Sequence, residues 1–405
     1  MTATIAILGS LDTKGPETAY MAQEVRRRGA IPLVIDTSAG ADAAGDRNPD
    51  VSVADLLAPL GVAVADLHAM DRAGAVRTMA EAARRRVAAL AADGKVDGLL
   101  AAGGSNAALV FARTAEVLPF GLPKVAVTTM AVVDARAVVG DADVTLIYPV
   151  ADVDGLNSLT GTTLAQAAAA VVAMAKVDPW AHSGDGAPVA ATMFGVTTRC
   201  VQAVRAELEA AGEEVIVFHA NGTGGRSLEA LADGGALAAV LDITTTELAD
   251  LEAGGELSAG EGRLSGDRAP GVPRVVVPGA VDMVNFGPPD RVPTAFAGRL
   301  VHVHNDNVTL VRTTREENHR IGRRIGRYAA QRADSIVVLP LRGVSALDVA
   351  GGPFEDPDAD QALFDVITEL VPADRLRVID AHINDPSFAV AVIEALGDLR
   401  TALTS

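Results

Sequence analysis

The chain alternates short apolar runs with longer segments whose apolar residues recur every three to four positions. Thr4 to Leu8 and Ile31 to Asp36 read as buried strands, and Glu17 to Arg28 between them carries an amphipathic helical pattern. A helix over Gly74 to Ala92 follows, then strands over Gly98 to Ala102 and Pro123 to Thr128, with a helix from about Asn106 between them. Continuous apolar runs separated by helices predict a parallel sheet covered on both faces. From about Ala187 the pattern begins again, with strands over Val189 to Phe194, Val215 to His219, Leu237 to Ile243 and Arg274 to Val277, and a helix over Arg199 to Ala211. Asp334 to Leu339 and Arg377 to Asp380 read as later strands, and Ala359 to Leu370 and Ser387 to Leu396 as helices. Residues 4–36 and 189–220 share the order strand, Gly-polar turn, helix, Gly, strand, as a duplicated unit would.

The expected fold is therefore α/β, with two Rossmann-like, doubly wound parallel-sheet domains over residues 1–180 and 181–405. Pro179 to Pro188, with Gly184 and Gly186, is the expected linker. Ligands in such sheets bind beyond the carboxyl ends of the strands, so an interdomain cleft is the expected site.

Composition narrows the function. At 405 residues, with 49% hydrophobic and 21% charged residues, the chain has the makeup of folded domains. A formal charge of −18 opposes nucleic-acid binding. The single cysteine, Cys200, leaves no intramolecular disulfide and no cysteine-rich metal site. The N-terminus lacks a basic n-region, and the alanine-rich run from Leu164 to Met174 is too short to span a bilayer, so a cytoplasmic protein with no membrane partner is expected.

The candidate chemistry lies in the turns that follow strands. Gly9-Ser10-Leu11-Asp12-Thr13-Lys14-Gly15 offers hydroxyls, a carboxylate and an ammonium directly after the first strand. It is not a P-loop, but Lys14 can reach a phosphate as a point charge. Its bland alternative is a turn with Asp12 or Thr13 as N-cap. Gly103-Gly104-Ser105-Asn106 is a second strand-to-helix turn, and Thr128 and Thr129 follow the next strand. In the second half, Asn221-Gly222-Thr223-Gly224-Gly225-Arg226 has the form of an anion cradle between a strand and a helix starting near Ser227. Thr244, Thr245 and Glu247 follow the next strand, either as part of that site or as a capping box. Asp282 is the candidate general acid or base. His302 and His304 share one face of a strand, but no third protein ligand accompanies them and no metal site is assigned. No Gly-x-Ser-x-Gly elbow and no Gly-x-Gly-x-x-Gly fingerprint after the first strand is present, which disfavours a serine hydrolase and an ordinary dehydrogenase.

Long motifs in fixed order carry a resemblance over essentially the whole chain. They are Leu11 to Gly15, Asp152 to Asn157, Met193 to Thr198, Phe218 to Arg226, Leu241 to Glu247, Leu257 to Gly260, Pro278 to Gly287, Thr309 to Thr314 and Ile383 to Phe388. With them the chain resembles the UPF0261 / Tm-1-like ATP-binding domain family of bacterial and fungal proteins, related to the N-terminal ATP-binding domain of the tomato mosaic virus resistance protein. The resemblance implies ATP, with Mg2+, bound mainly in the first domain by Asp12, Thr13, Lys14 and the Gly103-Gly104-Ser105 turn. Where such relatives continue Gly-Gly-Ser-Gly-Gly-Thr, this chain has Asn106 and Ala107, whose Cβ atoms are expected to restrict the backbone and the approach of a phosphate. The second-domain motifs look intact, so the second wall is expected to hold the anion. An enzyme acting on a nucleotide or another phosphorylated or carboxylated small molecule, a non-catalytic ligand sensor, and a homo-oligomeric scaffold all remain open at this point.

Overall fold

The computed structural model describes residues 2–40, 48–178 and 186–404, so Gly45 and most of the expected linker lie outside the described residues. The chain divides into two compact units, Met1–Ala181 and His182–Ser405.

The first unit holds five strands, β1 (Thr4–Gly9), β2 (Ile31–Asp36), β3 (Gly98–Gly103), β4 (Lys124–Thr128) and β5 (Thr145–Ile147). All pair in parallel in the order β2-β1-β3-β4-β5. Alternation along β1 shows why both faces need helices. Ile5 and Ile7 pack into one core with Met21, Leu164 and Val171, while Ala6 and Leu8 join the opposite core with Met79 and Phe111. Each buried Ile or Leu stabilises the sheet by about 1.5–3 kcal/mol relative to exposure. The alanine-rich run lies in the helix Ser158–Met174, and among the described residues no helix is long and apolar enough to cross a membrane.

The second unit repeats the winding. β6 (Val189–Met193), β7 (Val215–His219), β8 (Ala239–Thr244) and β9 (Arg274–Gly279) precede an insertion of three antiparallel strands, β10 (Met283–Phe286), β11 (Val301–Asn305) and β12 (Val308–Arg312). β13 (Ser335–Pro340) and β14 (Leu376–Ile379) then complete a parallel sheet in the order β14-β13-β9-β8-β6-β7. Counted within each parallel sheet, both units run 2-1-3-4-5, with one further strand in the second. The order reverses between β1 and β3 and between β6 and β8, which is where doubly wound sheets open a crevice for ligands.

Candidate functional site

In the first unit the reversal point is an open cavity of about 660 Å3. Its walls bring together Ser10, Asp12, Thr13, Lys14, Gly103, Gly104, Ser105 and Asn106, and add His68, Arg72 and Asp152. Two helix starts reach it, and they differ. The helix Leu11–Arg27 follows its N-cap Ser10, starts six residues earlier than the apolar pattern indicated, and breaks at Lys14 (φ −128°, ψ 29°). Its first amides are already engaged. Leu11 N–H donates to Asp36 Oδ1 at 3.4 Å, Asp12 N–H to Ser38 Oγ at 3.0 Å, and Thr13 and Lys14 N–H to the Ser10 carbonyl. This turn contributes side chains rather than amides. Asp12 Oδ2 accepts from Gly40 N–H at 3.0 Å, and Lys14 Nζ pairs with Asp154 at 2.9 Å.

The helix Ser105–Ala115 is the opposite case. Its N-cap, Gly104, has no side chain to offer, and the amides of Ser105, Asn106 and Ala107 have no partner among the described residues. Three free N–H groups at a helix start carry a local positive potential and suit an anion. Gly103 has φ +145°, and a Cβ there would lie 2.9 Å from the Ala107 Cβ, so the turn demands glycine at that point. The expectation that Cβ atoms at Asn106 and Ala107 would strain the backbone is corrected. Both residues sit inside the helix, where any side chain adopts the required φ, and the cavity stays open beside them. Thr128 and Thr129 do not join the site. Thr128 is buried, and its hydroxyl accepts from Met130 N–H at 3.2 Å to cap the turn after β4.

The glycine-rich turn of the second unit overturns the expected second wall. Thr223 to Arg226 form the first turn of the helix Thr223–Asp233 rather than a loop. Its amides already hold a carboxyl group that belongs to the chain. Glu247 Oε1 accepts from Gly222 N–H at 2.7 Å and from Gly225 N–H at 3.0 Å, while Asn221 Oδ1 takes Gly224 N–H at 3.2 Å. The glycines serve this packing. A Cβ at Gly225 would fall 2.1 Å from Glu247 Oε2, and one at Gly224 would fall 1.9 Å from the His219 carbonyl. Glu247 is therefore not a capping-box partner, and Thr244, Thr245 and Glu247 are fully buried, out of reach of a ligand at the surface. Thr223 and Arg226 are half-buried and bond to each other at 3.3 Å.

Beneath the turn lies a buried charge cluster. Arg263 donates from Nε to Glu247 at 2.7 Å, from both terminal nitrogens to Asp242 at 2.6 and 2.5 Å, and to Glu229 at 3.0 Å. Arg274 adds two bonds to Glu229, each 2.8 Å. Burial works to raise the Glu229 carboxyl, but Arg274 and Arg263 hold it down at about 2. Burial lifts Glu247 above the usual carboxylate range against the pull of Arg263. Three carboxyl groups thus face two guanidinium groups in this cluster.

Asp282 also departs from its assigned part. It is fully buried, so it cannot touch a ligand at the surface. Its Oδ2 accepts from Ser345 Oγ at 2.8 Å, and its Oδ1 has no hydrogen-bond partner among the described residues. Arg312 lies among Asp282, Asp348 and Asp360, bonding Asp360 at 2.6 Å. Burial pushes Asp282 and Asp348 up to about 6 and Asp360 up to about 7, with the neighbouring carboxylates reinforcing the rise and Arg312 opposing it. His302 and His304 stand on β11 with ring centroids 6.4 Å apart, and among the described residues no third His, Cys, Asp or Glu joins them.

Sequence reasoning missed His68, Arg72 and Asp152 in the first cavity and Arg263 in the cluster. Asp152 lies in a motif singled out for its resemblance, which was a usable signal. His68 and Arg72 carry no local signature.

Comparison with known proteins follows the two units. The model of the N-terminal domain of an uncharacterised protein family (UPF0261) matches residues 3–179, and that of its C-terminal domain matches residues 187–400. A UPF0261 protein of Clostridium tetani is 39% identical over 400 residues, covering 98% of each chain. Another from Rhizobium meliloti is 42% identical over 404 residues, again covering 98% of each. The ToMV resistance protein Tm-1 of Solanum lycopersicum is 37% identical over 307 residues, which is 74% of this chain and 41% of the tomato protein. Among solved structures, a UDP-N-acetylglucosamine 2-epimerase aligns over 97% of this chain and 95% of its own at 10% identity and a TM-score of 0.26, a likeness too slight to speak to chemistry.

Proposed function

The chain belongs to the UPF0261 family, and we propose that its first unit binds the phosphates of a nucleotide, with ATP and Mg2+ as the form that the Tm-1-like resemblance brings. One observation carries this reading: the amides of Ser105, Asn106 and Ala107, unpartnered among the described residues, open on a 660 Å3 cavity at the point where strand order reverses. The volume lies in the usual range for a small-molecule site, about 300–1,000 Å3. The free amides and the Ser105 hydroxyl would hold a phosphate, and Lys14 and Arg72 would balance its charge. Asp12 and Asp152 supply the carboxylate oxygens that a hard divalent cation prefers. Bound there, the cation would neutralise phosphoryl oxygens and polarise them toward attack. Two carboxylates beside an anion cradle favour an enzyme over a sequestering protein, whose site needs only amides and hydroxyls.

Calorimetric titration of ATP with and without Mg2+ tests this reading on the full chain. Binding is expected to weaken by about tenfold or more in Lys14→Ala, as losing a charge-assisted contact implies. Asp12→Asn is expected to abolish the Mg2+ dependence. No saturable ATP binding at millimolar concentration, or binding indifferent to both changes, would overturn the proposal.

A further inference from the structure

The helix Arg315–Gln331 and the loop preceding β9 enclose a second concavity, of about 390 Å3, wholly within the second unit. Residues three and four apart share a helix face, so Arg320, Arg323, Arg324 and Arg327 line one wall together. Two of them are spoken for. Arg324 bonds Glu252 at 3.0 Å and Glu261 at 2.9 Å, and Arg320 lies 3.5 Å from Glu252. Arg323 and Arg327 are exposed and have no hydrogen-bond or ion-pair partner among the described residues. Four guanidinium groups against two lining carboxylates, with Glu316 pairing Arg320 at 3.3 Å from outside the lining, leave a positive concavity on a chain whose formal charge is −18.

The floor supplies a second, independent observation. Tyr328 is only 4% exposed, and its ring is fixed by the guanidinium groups of Arg274 and Arg332, 5.7 and 5.8 Å from the centroid. Its hydroxyl makes no hydrogen bond within the described residues, although Tyr328 lines the cavity. The hydroxyl is not among the buried unpartnered atoms of the described residues, so it is open to the cavity and is satisfied by whatever fills it.

We propose that this concavity binds a small phosphorylated metabolite whose terminal phosphoryl oxygens are taken by Arg323, Arg327 and the Tyr328 hydroxyl. Three separate donor groups match the three terminal oxygens of a phosphate monoester, whereas a single carboxylate offers two. Arginine forks suit phosphate geometry, and the strong charge-assisted bonds compensate for an open, solvated wall. Glu252 and Glu261 hold Arg320 and Arg324 upright, which shapes the wall without occupying the two free cations.

Calorimetric titration of the full chain with pyrophosphate, at low ionic strength, tests the site. Comparing Lys14→Ala with the double variant Arg323→Ala/Arg327→Ala separates it from the nucleotide cavity of the first unit. Pyrophosphate binding that survives Lys14→Ala and weakens at least tenfold or so in the double variant is the expected result. Tyr328→Phe, which keeps the ring and removes the hydroxyl, is expected to weaken it by roughly three- to tenfold with an unchanged melting temperature. Absence of saturable binding up to about 10 mM pyrophosphate would overturn the proposal. Binding that is lost in Lys14→Ala and untouched in the double variant would overturn it equally.

Discussion

Glu247→Ala distinguishes a self-filled cradle from a ligand site. The substitution removes the acceptor for Gly222 N–H, Gly225 N–H and Arg263 Nε, while Asp242 and Glu229 still pair Arg263. A buried donor left unmade costs about 1–3 kcal/mol, and breaking one member of a buried ion network costs about 3–5 kcal/mol. Because Arg263 keeps two carboxylates, the low end of the summed effect applies, about 3–5 kcal/mol. For a unit of this size each kcal/mol moves the melting temperature by about 2–4 °C, so a fall of roughly 6–20 °C is expected. Differential scanning calorimetry measures it, and a small carboxylate should reverse it. Acetate at about 100 times its dissociation constant would restore about 2.7 kcal/mol by filling the vacated cradle. Glu247→Gln should fall between the two, because its carbonyl still accepts the amides while its NH2 meets the Arg263 donor. A loss under about 1 kcal/mol, with no response to acetate, would refute the assignment of these amides to Glu247.

Two further predictions follow from groups already described. The Asp282, Asp348 and Asp360 carboxyls bind their protons more tightly folded than unfolded, so their contribution is complete below the unfolded value near 3.8 and is lost as pH rises through about 6 to 7. The shifts of about two units at Asp282 and Asp348 correspond to about 3 kcal/mol each and that of about three units at Asp360 to about 4 kcal/mol, so melting temperature measured by circular dichroism should fall from pH 5 to pH 8 and the slope should flatten in Asp360→Asn; a slope unchanged by that substitution would count against the cluster. Gly103→Ala combines an unfavourable φ of +145° with a Cβ contact of 2.9 Å to Ala107, and is expected to lower stability by about 1–3 kcal/mol in urea titration and, on the proposed function, to weaken ATP binding.

The periodicity of the chain carried most of the fold. β1, β3, β4, β6, β8 and β9 are buried on both faces, so their apolar runs are continuous and stand out. The antiparallel insertion was harder to see because β11 is largely exposed and its sequence, Val-His-Val-His-Asn, carries no core face. The first cavity was legible as glycine and hydroxyl residues directly after strands. What could not be read was who binds whom. Glu247 lies 25 residues from Gly222 and 22 from Gly225, and Arg263 looks like any loop arginine until folding sets it against Asp242. A glycine-rich strand-to-helix turn has the same local form whether its amides hold a metabolite or a side chain. Only tertiary placement separates the two.

Glu247 is in effect a ligand on a permanent leash. A tethered group acts at an effective concentration set by its linkage, commonly millimolar or above even for flexible tethers, and here the connecting backbone is rigid. A free metabolite would have to outcompete a partner that never diffuses away, whatever its abundance in the cell. The second unit's turn is thus insulated from changing metabolite levels, while the uncapped helix of the first unit has no such resident among the described residues. Of two turns built on one winding pattern, only the first keeps amides that no group among the described residues occupies.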